Sequence, residues 1–193
     1  EGTVDFLGLN YYSRVLVRPY TDGETQLVVN NSGSAFKGSQ RVVIKGWFEQ
    51  VLDDPNMQTT EWGTEIYPDG LRRGLIEVTR RYHLPIYITE NGIGVAEDVS
   101  QGEVQDDYRI AFMKDHIAAI KAAQEAGADV RGYFVWSTFD LYSWKNGCRK
   151  RYGLVAVDFE DGYTRTPKKS YRWYRDFIAG EQTGKPYQEE GQR

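Results

Sequence analysis

Three short apolar segments constrain the fold of this chain more than any other feature. They are residues 6–12 (FLGLNYY), 86–89 (IYIT) and 132–136 (GYFVW). Each is rich in aromatic and β-branched side chains and nearly continuous in apolar character, which is typical of buried parallel strands. We therefore predict three parallel strands in an α/β architecture.

Amphipathic segments separate these strands. Apolar side chains recur at helical spacing in two series, Leu71, Leu75, Val78 and Tyr82, and Ile110, Met113, Ile117 and Ile120. Pro68 suits the opening turn of the first helix, and Asp106 or Asp107 can cap the second. Thr166 followed by Pro167 predicts the start of a third helix. Three parallel strands cannot close a barrel, which takes eight, so we expect the architecture to be incomplete in this chain.

The other segments are more polar. The connection between Tyr20 and Trp62 is too long for an ordinary loop, and we expect it to be functional or loosely ordered. From residue 179 the composition turns to Gly, Gln, Glu and Lys, which predicts one domain over residues 1–178 and a polar tail over 179–193. The chain starts at Glu1 with no Met and no signal-peptide pattern, so we expect it to be a piece of a longer protein.

Composition excludes several classes of function. The net charge of -4 gives no overall attraction to nucleic acid or to anionic lipid, and no apolar stretch approaches the roughly 18 residues of a membrane helix. Cys148 is the only cysteine and there are two histidines, which excludes an internal disulfide and a cysteine and histidine zinc cluster. We therefore expect a protein that binds neither nucleic acid nor membrane.

Glu90 is the first candidate for chemistry. It follows the strand of residues 86–89, just before Asn91 and Gly92, and ligands of α/β folds are held at the carboxyl ends of the strands. It is a candidate nucleophile or general base, although a strand-end acid can also cap a helix or pair with an arginine. Asn10 and Tyr12 lie two residues apart at the end of another strand, and a tyrosine hydroxyl could hold a carboxylate in place.

A basic loop after the third strand is the second candidate. Within residues 142–153 (YSWKNGCRKRYG), four of the eight residues from Lys145 to Tyr152 are cationic, interleaved with groups that can hydrogen-bond an oxyanion. Composition alone favours a solvated basic surface loop, and the loop is too short to indicate nucleic-acid binding on an acidic chain.

Taken together, these segments resemble the C-terminal part of glycoside hydrolase family 1, the retaining β-glycosidases built on a (β/α)8 TIM barrel. The similarity runs, in the family's order, through residues 5–12 (DFLGLNYY), 62–68 (WGTEIYP), 88–92 (ITENG), 135–137 (VWS) and 151–155 (RYGLV). The resemblance implies that the three strands are about the sixth to eighth of the barrel. It also implies that Glu90 is the catalytic nucleophile, with Tyr12 bonded to it and Asn10 beside it, and that Trp136 is a platform under the sugar.

The same resemblance implies that one catalytic group lies elsewhere. The family's acid/base glutamate belongs to an Asn-Glu-Pro motif at the end of the fourth strand, and that motif does not occur in these 193 residues. A retaining hydrolase needs both carboxyl groups. We therefore expect the isolated chain to be inactive, and its partner to be the missing N-terminal barrel half, in the same protein or in a companion chain. No metal or organic cofactor is implied.

One departure from the family pattern indicates the substrate. Ordinary members carry a glutamate seven residues after the platform tryptophan, whereas this chain has Ser143 there, followed by Trp144. Ser143, Lys150 and Tyr152 resemble the phosphate-binding trio of the 6-phospho-β-glycosidases, and Trp144 favours the galactosidase branch. The resemblance thus implies a phosphorylated β-glycoside substrate and a cytoplasmic enzyme. Two alternatives stay open, an ordinary β-glucosidase fragment and a non-catalytic carbohydrate-binding or scaffold piece.

Overall fold

The three predicted strands lie side by side as a parallel sheet. The structure is a computed structural model that describes residues 2–28, 41–51, 54–100, 102–143 and 147–183. In chain order its elements are β1 (Leu7–Asn10), β2 (Val17–Tyr20), β3 (Gln26–Val28), β4 (Arg41–Ile44), β5 (Trp47–Gln50), α1 (Pro68–Tyr82), β6 (Ile86–Asn91), α2 (Asp107–Glu125), β7 (Val130–Val135), β8 (Val155–Val157), β9 (Arg165–Pro167) and α3 (Lys169–Thr183). The parallel sheet has the order β1-β6-β7, so β6 is its central strand.

Two helices cover one face of this sheet. Ile86 and Ile88 of β6 are fully buried against Leu71 and Leu75 of α1 and against Ile120 of α2. Each such side chain contributes about 1.5–3 kcal/mol by leaving water. This packing fixes the alternation of side chains along β6.

The opposite face of the sheet is open. Phe6 and Phe134 are 54% and 57% exposed, and Thr89 and Asn10 are exposed beside them. Large apolar side chains exposed on a central parallel sheet are unusual, since such sheets are normally covered on both faces.

The helix predictions are confirmed for α1 and α2 and partly wrong for α3. Pro68 is the first residue of α1, and α2 begins at Asp107. Thr166 and Pro167 do not open a helix but belong to β9, which pairs with β8, and α3 begins at Lys169. The reason is a tertiary contact. The backbone N–H of Ser170 donates to the Asp106 carboxylate at 2.8 Å, so Asp106, from a distant part of the chain, caps the start of α3.

The long connection contains regular structure that the sequence did not indicate. β2 to β5 form an antiparallel sheet of order β2-β5-β4-β3. These strands are three or four residues long and β3 is exposed throughout, so there is no two-residue alternation to recognise. Residues 30–34 (NNSGS) of this connection lie outside the described residues, as does the tail from residue 184, and α3 extends to Thr183 beyond the predicted boundary at 178. None of the helices in the described ranges is both long and apolar enough to cross a bilayer.

A buried histidine in α2 makes the stability of the fold depend on pH. His116 is fully buried, and its Nδ1 contacts the Phe112 carbonyl oxygen at 2.8 Å. Its Nε2 has no partner among the described residues. Burial lowers the pKa of His116, with the Phe112 hydrogen bond and Asp115 opposing. The unfolded chain therefore binds more protons than the folded one below about pH 6.5, and stability is lost as the pH falls.

We expect the free energy of unfolding to decrease by up to about 1.4 kcal/mol per pH unit below that point because of this residue. Thermal unfolding of wild type and His116→Leu between about pH 5 and 7 checks this, and the variant should show a flatter dependence. His83, the other histidine, ends α1 in a left-handed conformation that asparagine tolerates, so His83→Asn is the matched control. Equal slopes in wild type and His116→Leu would contradict this account.

Candidate active site

Glu90 lies at a bulge at the carboxyl end of β6. Leu9 of β1 pairs with Ile88, but the next residue, Asn10, pairs with Glu90, so Thr89 and Glu90 together occupy the space of one residue. The register with β7 shifts over the same segment. A bulge re-aims the side chains that follow it. Glu90 is thereby released from the alternation that turns the isoleucines of β6 toward the helices.

The Tyr12 hydroxyl donates to Glu90 Oε2 at 2.7 Å. Burial raises the pKa of Tyr12 well above its usual value, and the hydrogen bond to Glu90 raises it further, so the phenol stays protonated and remains a donor. Among the described residues, Glu90 Oε1 has no hydrogen-bond partner. Beside this pair, the Thr89 hydroxyl donates to Asn10 Oδ1 at 2.6 Å. The hydrogen bond that the resemblance implied is present, while the catalytic roles of Glu90, Tyr12 and Asn10 stay predictions.

Asn91 holds the ends of the three parallel strands together. It is fully buried, its Nδ2 donates to the Tyr11 carbonyl at 2.7 Å, and its Oδ1 accepts from the Tyr133 hydroxyl at 2.8 Å. Its own carbonyl accepts from the backbone N–H of Trp136 at 2.9 Å. Because Asn91 follows Glu90 directly, these bonds fix the backbone that carries the carboxylate.

Trp136 begins the loop after β7, next to the end of β6. Gly92 makes this approach possible, since a Cβ at that position would lie 1.9 Å from the Trp136 carbonyl oxygen. The peptide bond between Trp136 and Ser137 is cis. Trp136 is thus placed one strand away from Glu90, where its role as a sugar platform stays a prediction.

A cavity of about 80 Å³ lies between Tyr12, the hydrogen-bond partner of Glu90, and the basic loop. Its lining includes Tyr12, Lys150 and Tyr152. The Tyr12 and Tyr152 rings meet edge to face with centroids 6.4 Å apart. A continuous path of contacts therefore runs from the carboxylate of Glu90 through Tyr12 and Tyr152 to the ammonium of Lys150.

Lys150 sits among aromatic rings. Its Nζ lies 5.4 Å from the Trp62 ring centroid and 5.3 Å from that of Tyr152. Burial lowers the pKa of Lys150, and the charge of Glu61 opposes this effect. No ion pair to Lys150 is found within the described residues. Burial also raises the pKa of Tyr152 to about 12, so its hydroxyl is a donor at neutral pH. An ammonium and a phenol at one cavity make a site suited to an anion.

Ser143 is the remaining member of the predicted phosphate trio. Ser143 forms a tight antiparallel bridge with Gly147, with N–H to carbonyl distances of 2.9 Å in both directions. It is partly buried but is not among the described residues that line the Lys150 cavity. Trp144 lies outside the described residues. Arg151 of the same loop has a structural partner, Asp140, at 2.8 Å.

A buried ion network holds the loops that carry several of the residues lining the cavity. Its members come from the loops after β6 and β7 and from the starts of α2 and α3, and they are Glu97, Asp106, Arg109, Asp140, Arg151 and Lys168. Arg109 is central, with Asp106 at 2.9 Å and Glu97 at 2.7 Å. Its Nη1 also donates to the carbonyl oxygens of Ile93 and Tyr152, at 2.5 and 3.0 Å. The three acids balance the three bases, as buried charges require.

Comparison with known proteins identifies the family. A sequence profile described as glycosyl hydrolase family 1 matches residues 1–183. The chain belongs to glycosyl hydrolase family 1. A 6-phospho-beta-galactosidase of Streptococcus equi subsp. zooepidemicus (strain H70) is 44% identical over 177 residues, which are 91% of this chain and 37% of that relative. The aryl-phospho-beta-D-glucosidase BglC of Bacillus subtilis (strain 168) is 42% identical over 184 residues, 92% of this chain and 38% of that relative.

Solved family 1 structures agree with this assignment. The family 1 β-glucosidase from Thermotoga maritima superposes with a TM-score of 0.75 at 32% identity, over 92% of this chain and 35% of that one. The chain therefore spans little more than a third of the proteins it matches. The predicted fold, part of a (β/α)8 barrel that is incomplete in this chain, is confirmed. Because the helices of such a barrel form its outer ring, the sheet face without helices corresponds to the inner wall.

Several residues of the site could not be found by sequence reasoning. Trp62 belongs to a segment that carried the family resemblance, yet nothing in its spacing placed it against Lys150. Arg109 lies next to Ile110 in a helical pattern, where a charged residue is normally solvated. Asn91 and Gly94 lie in a segment whose sequence is typical of an ordinary turn after a strand. In each case the deciding contact comes from a segment distant in the chain.

Proposed function

We propose that the protein to which this chain belongs hydrolyses 6-phospho-β-glycosides with retention of configuration, and that Glu90 is its nucleophile. The observation that carries the proposal is the single path of contacts from Glu90 through Tyr12 and Tyr152 to Lys150. This path has the Glu90 carboxylate at one end and the Lys150 ammonium at the other. Relatives named as phospho-β-glycosidases support the same conclusion.

In this mechanism Glu90 attacks the anomeric carbon while the glycosidic bond to the leaving oxygen breaks. The products of that step are a glycosyl ester on Glu90 and a leaving group protonated by the second carboxyl group. Water then attacks the anomeric carbon of this glycosyl ester, the second carboxylate accepts a proton from the water, and the bond between the anomeric carbon and Glu90 breaks. Tyr12 holds Oε2 by its hydrogen bond, which leaves Oε1 available for attack.

The phosphate is bound by the basic loop. The Lys150 ammonium supplies the charge and the Tyr152 hydroxyl supplies a neutral donor, with Ser143 completing the trio. A glutamate at position 143 would repel the dianion, whereas serine does not. Trp136 underlies the sugar, Asn10 lies beside the nucleophile, and Trp144 contributes to the substrate pocket.

The acid/base carboxyl group comes from outside these 193 residues. The exposed Phe6 and Phe134 are suited to contact the remaining barrel strands, supplied by the same protein or by a companion chain. The isolated chain should therefore have no turnover. No metal or organic cofactor takes part. Since phosphorylated disaccharides form during uptake, the substrate class also implies a cytoplasmic enzyme.

The substrate preference of the full-length protein tests the proposal. We expect 4-nitrophenyl 6-phospho-β-D-galactoside or the corresponding glucoside to be hydrolysed with a kcat/KM at least about 100-fold above that of the unphosphorylated sugar, because two charge-assisted bonds distinguish them. Proton NMR of the first-formed sugar should show the β-anomer. The isolated chain should be inactive on all of these substrates.

The β-glucosidase names of the structural relatives favour one alternative, an ordinary β-glucosidase. A preference for unphosphorylated glucosides would support that alternative and overturn the proposal. Absence of turnover in the full-length protein would favour a non-catalytic carbohydrate-binding role. The ratio of galactoside to glucoside activity also tests the galactosidase assignment that rests on Trp144.

A further inference from the structure

Gly94 lies against the two residues that line the anion end of the cavity. It is buried, two positions after Gly92, in the loop that follows β6. A Cβ on Gly94 would lie 2.5 Å from Cε2 and Cζ of the Tyr152 ring and 2.9 Å from Cε of Lys150. Both distances are shorter than real Cβ contacts, so a side chain of any size cannot be accommodated without movement.

Backbone conformation is not the reason for a glycine here. The glycines with positive φ in the described residues include Gly63, Gly102 and Gly127, but Gly94 is not one of them. An alanine could therefore adopt the backbone angles of this position. The position requires a glycine because of the close approach of Tyr152 and Lys150.

The backbone on either side of this contact cannot easily move apart. Val95 and Arg151 form an antiparallel bridge, with N–H to carbonyl distances of 3.2 and 2.8 Å. The guanidinium of Arg109 donates to the carbonyls of Ile93 and Tyr152. Hydrogen bonds thus fix the backbone next to Gly94 and the backbone of the basic loop next to Lys150. A side chain at position 94 must be accommodated by displacing the Tyr152 ring and the Lys150 stem.

We propose that Gly94 is a specificity-determining position, whose missing side chain lets Lys150 and Tyr152 reach a phosphate together. The inference rests on the proposed function and extends it to a residue that contacts no substrate. The three atoms nearest to an added Cβ belong to Tyr152 and Lys150 rather than to Glu90 or Tyr12, so the main effect falls on binding of the phosphorylated sugar rather than on the chemical step.

Gly94→Ala in the full-length protein tests the inference. The substrate is 4-nitrophenyl 6-phospho-β-D-galactoside or -glucoside, whichever wild type prefers. We expect KM to rise by about tenfold or more, the effect of losing one charge-assisted hydrogen bond. The kcat should change by less than about threefold. Gly74→Ala is the matched control, because a Cβ there has no neighbour within 4 Å, and its KM should equal that of wild type. An unchanged KM in Gly94→Ala, or a fall in kcat alone, would overturn the inference.

Failure of the proposed function and failure of this inference give different results. If wild type prefers unphosphorylated substrates, the proposed function fails and this inference fails with it. If wild type prefers the phosphorylated substrate and Gly94→Ala keeps that KM, only the inference fails.

A second variant covers the case in which Gly94→Ala does not fold. Tyr152→Ser removes the ring that the new Cβ would meet, so Gly94→Ala/Tyr152→Ser should melt within a few degrees of Tyr152→Ser alone. The contact with Lys150 remains in the double variant, but it involves the far end of a flexible side chain that can move aside. If the double variant is also unfolded, the contact with Tyr152 is not what excludes a side chain, and the inference is overturned.

Discussion

Replacing Glu90 by glutamine in the full-length protein should reduce kcat by about four orders of magnitude or more, the scale seen when an enzyme loses its nucleophile. Glutamine has nearly the same shape, and its side-chain carbonyl can still accept the Tyr12 hydrogen bond, so the site stays assembled. What is lost is the anionic oxygen that attacks the anomeric carbon. Initial rates on the preferred 6-phospho-β-glycoside measure this effect.

The matched control is Glu77→Gln. Glu77 lies exposed on α1, paired with Arg81 at 2.9 Å, and exposed pairs of this kind contribute little to stability. Its kcat should equal that of wild type. If Glu90 were a structural strand-end acid, Glu90→Gln would lower the melting temperature and retain most of the activity. That pattern would contradict the role proposed for Glu90.

Replacing Lys150 by methionine should separate ligand binding from stability. Methionine keeps an unbranched apolar stem against the Trp62 and Tyr152 rings but carries no charge. We expect KM for the phosphorylated substrate to rise by about tenfold to a hundredfold, since charge-assisted bonds to the phosphate contribute about 1.5–3 kcal/mol. The kcat/KM for an unphosphorylated substrate should change little.

The same variant should be more stable than wild type without ligand. Burial lowers the pKa of Lys150, which means that the charged ammonium destabilises the folded protein. From the lowered pKa up to the ordinary pKa of lysine, the unfolded chain binds more protons than the folded one. The charge therefore lowers the free energy of unfolding at neutral pH, and this destabilisation is lost as the pH rises through that range. Removing the charge should raise the melting temperature by about 2–4 °C at neutral pH.

Lys45→Met is the control for this experiment, since Lys45 is exposed in the turn between β4 and β5. It should change neither KM nor the melting temperature. A Lys150→Met protein that is less stable than wild type, with an unchanged KM, would show that Lys150 serves the fold rather than an anion.

The sequence was sufficient to predict the elements that depend on local pattern. The apolar runs of β1, β6 and β7 and the helical spacing of α1 and α2 are local, and all five elements are present. Glu90 stood out because it directly follows an apolar strand. The four short strands β2 to β5 have no such pattern, and the sequence therefore did not indicate them.

The parts of the site that could not be predicted depend on contacts across the chain. The bulge at Thr89 and Glu90 is defined by partner strands, and nothing in β6 itself marks it. Arg109 is recognisable as a buried cation only when Asp106 and Glu97 are seen around it. The start of α3 was predicted two residues too early because its cap, Asp106, comes from the beginning of another helix. Sequence reasoning thus found the candidate groups but not the contacts that bring them together.

Covalent trapping would identify the nucleophile of the full-length protein. The full-length protein is treated with a 2-deoxy-2-fluoro-6-phospho-β-glycosyl fluoride, which forms the glycosyl ester but releases it slowly, and the labelled peptide is identified by mass spectrometry. We expect an adduct on Glu90. In wild type it should form much faster with the phosphorylated reagent than with the unphosphorylated one, and in Lys150→Met this difference in rate should be lost. An adduct on another carboxylate, or equal labelling by both reagents in wild type, would contradict the proposed function.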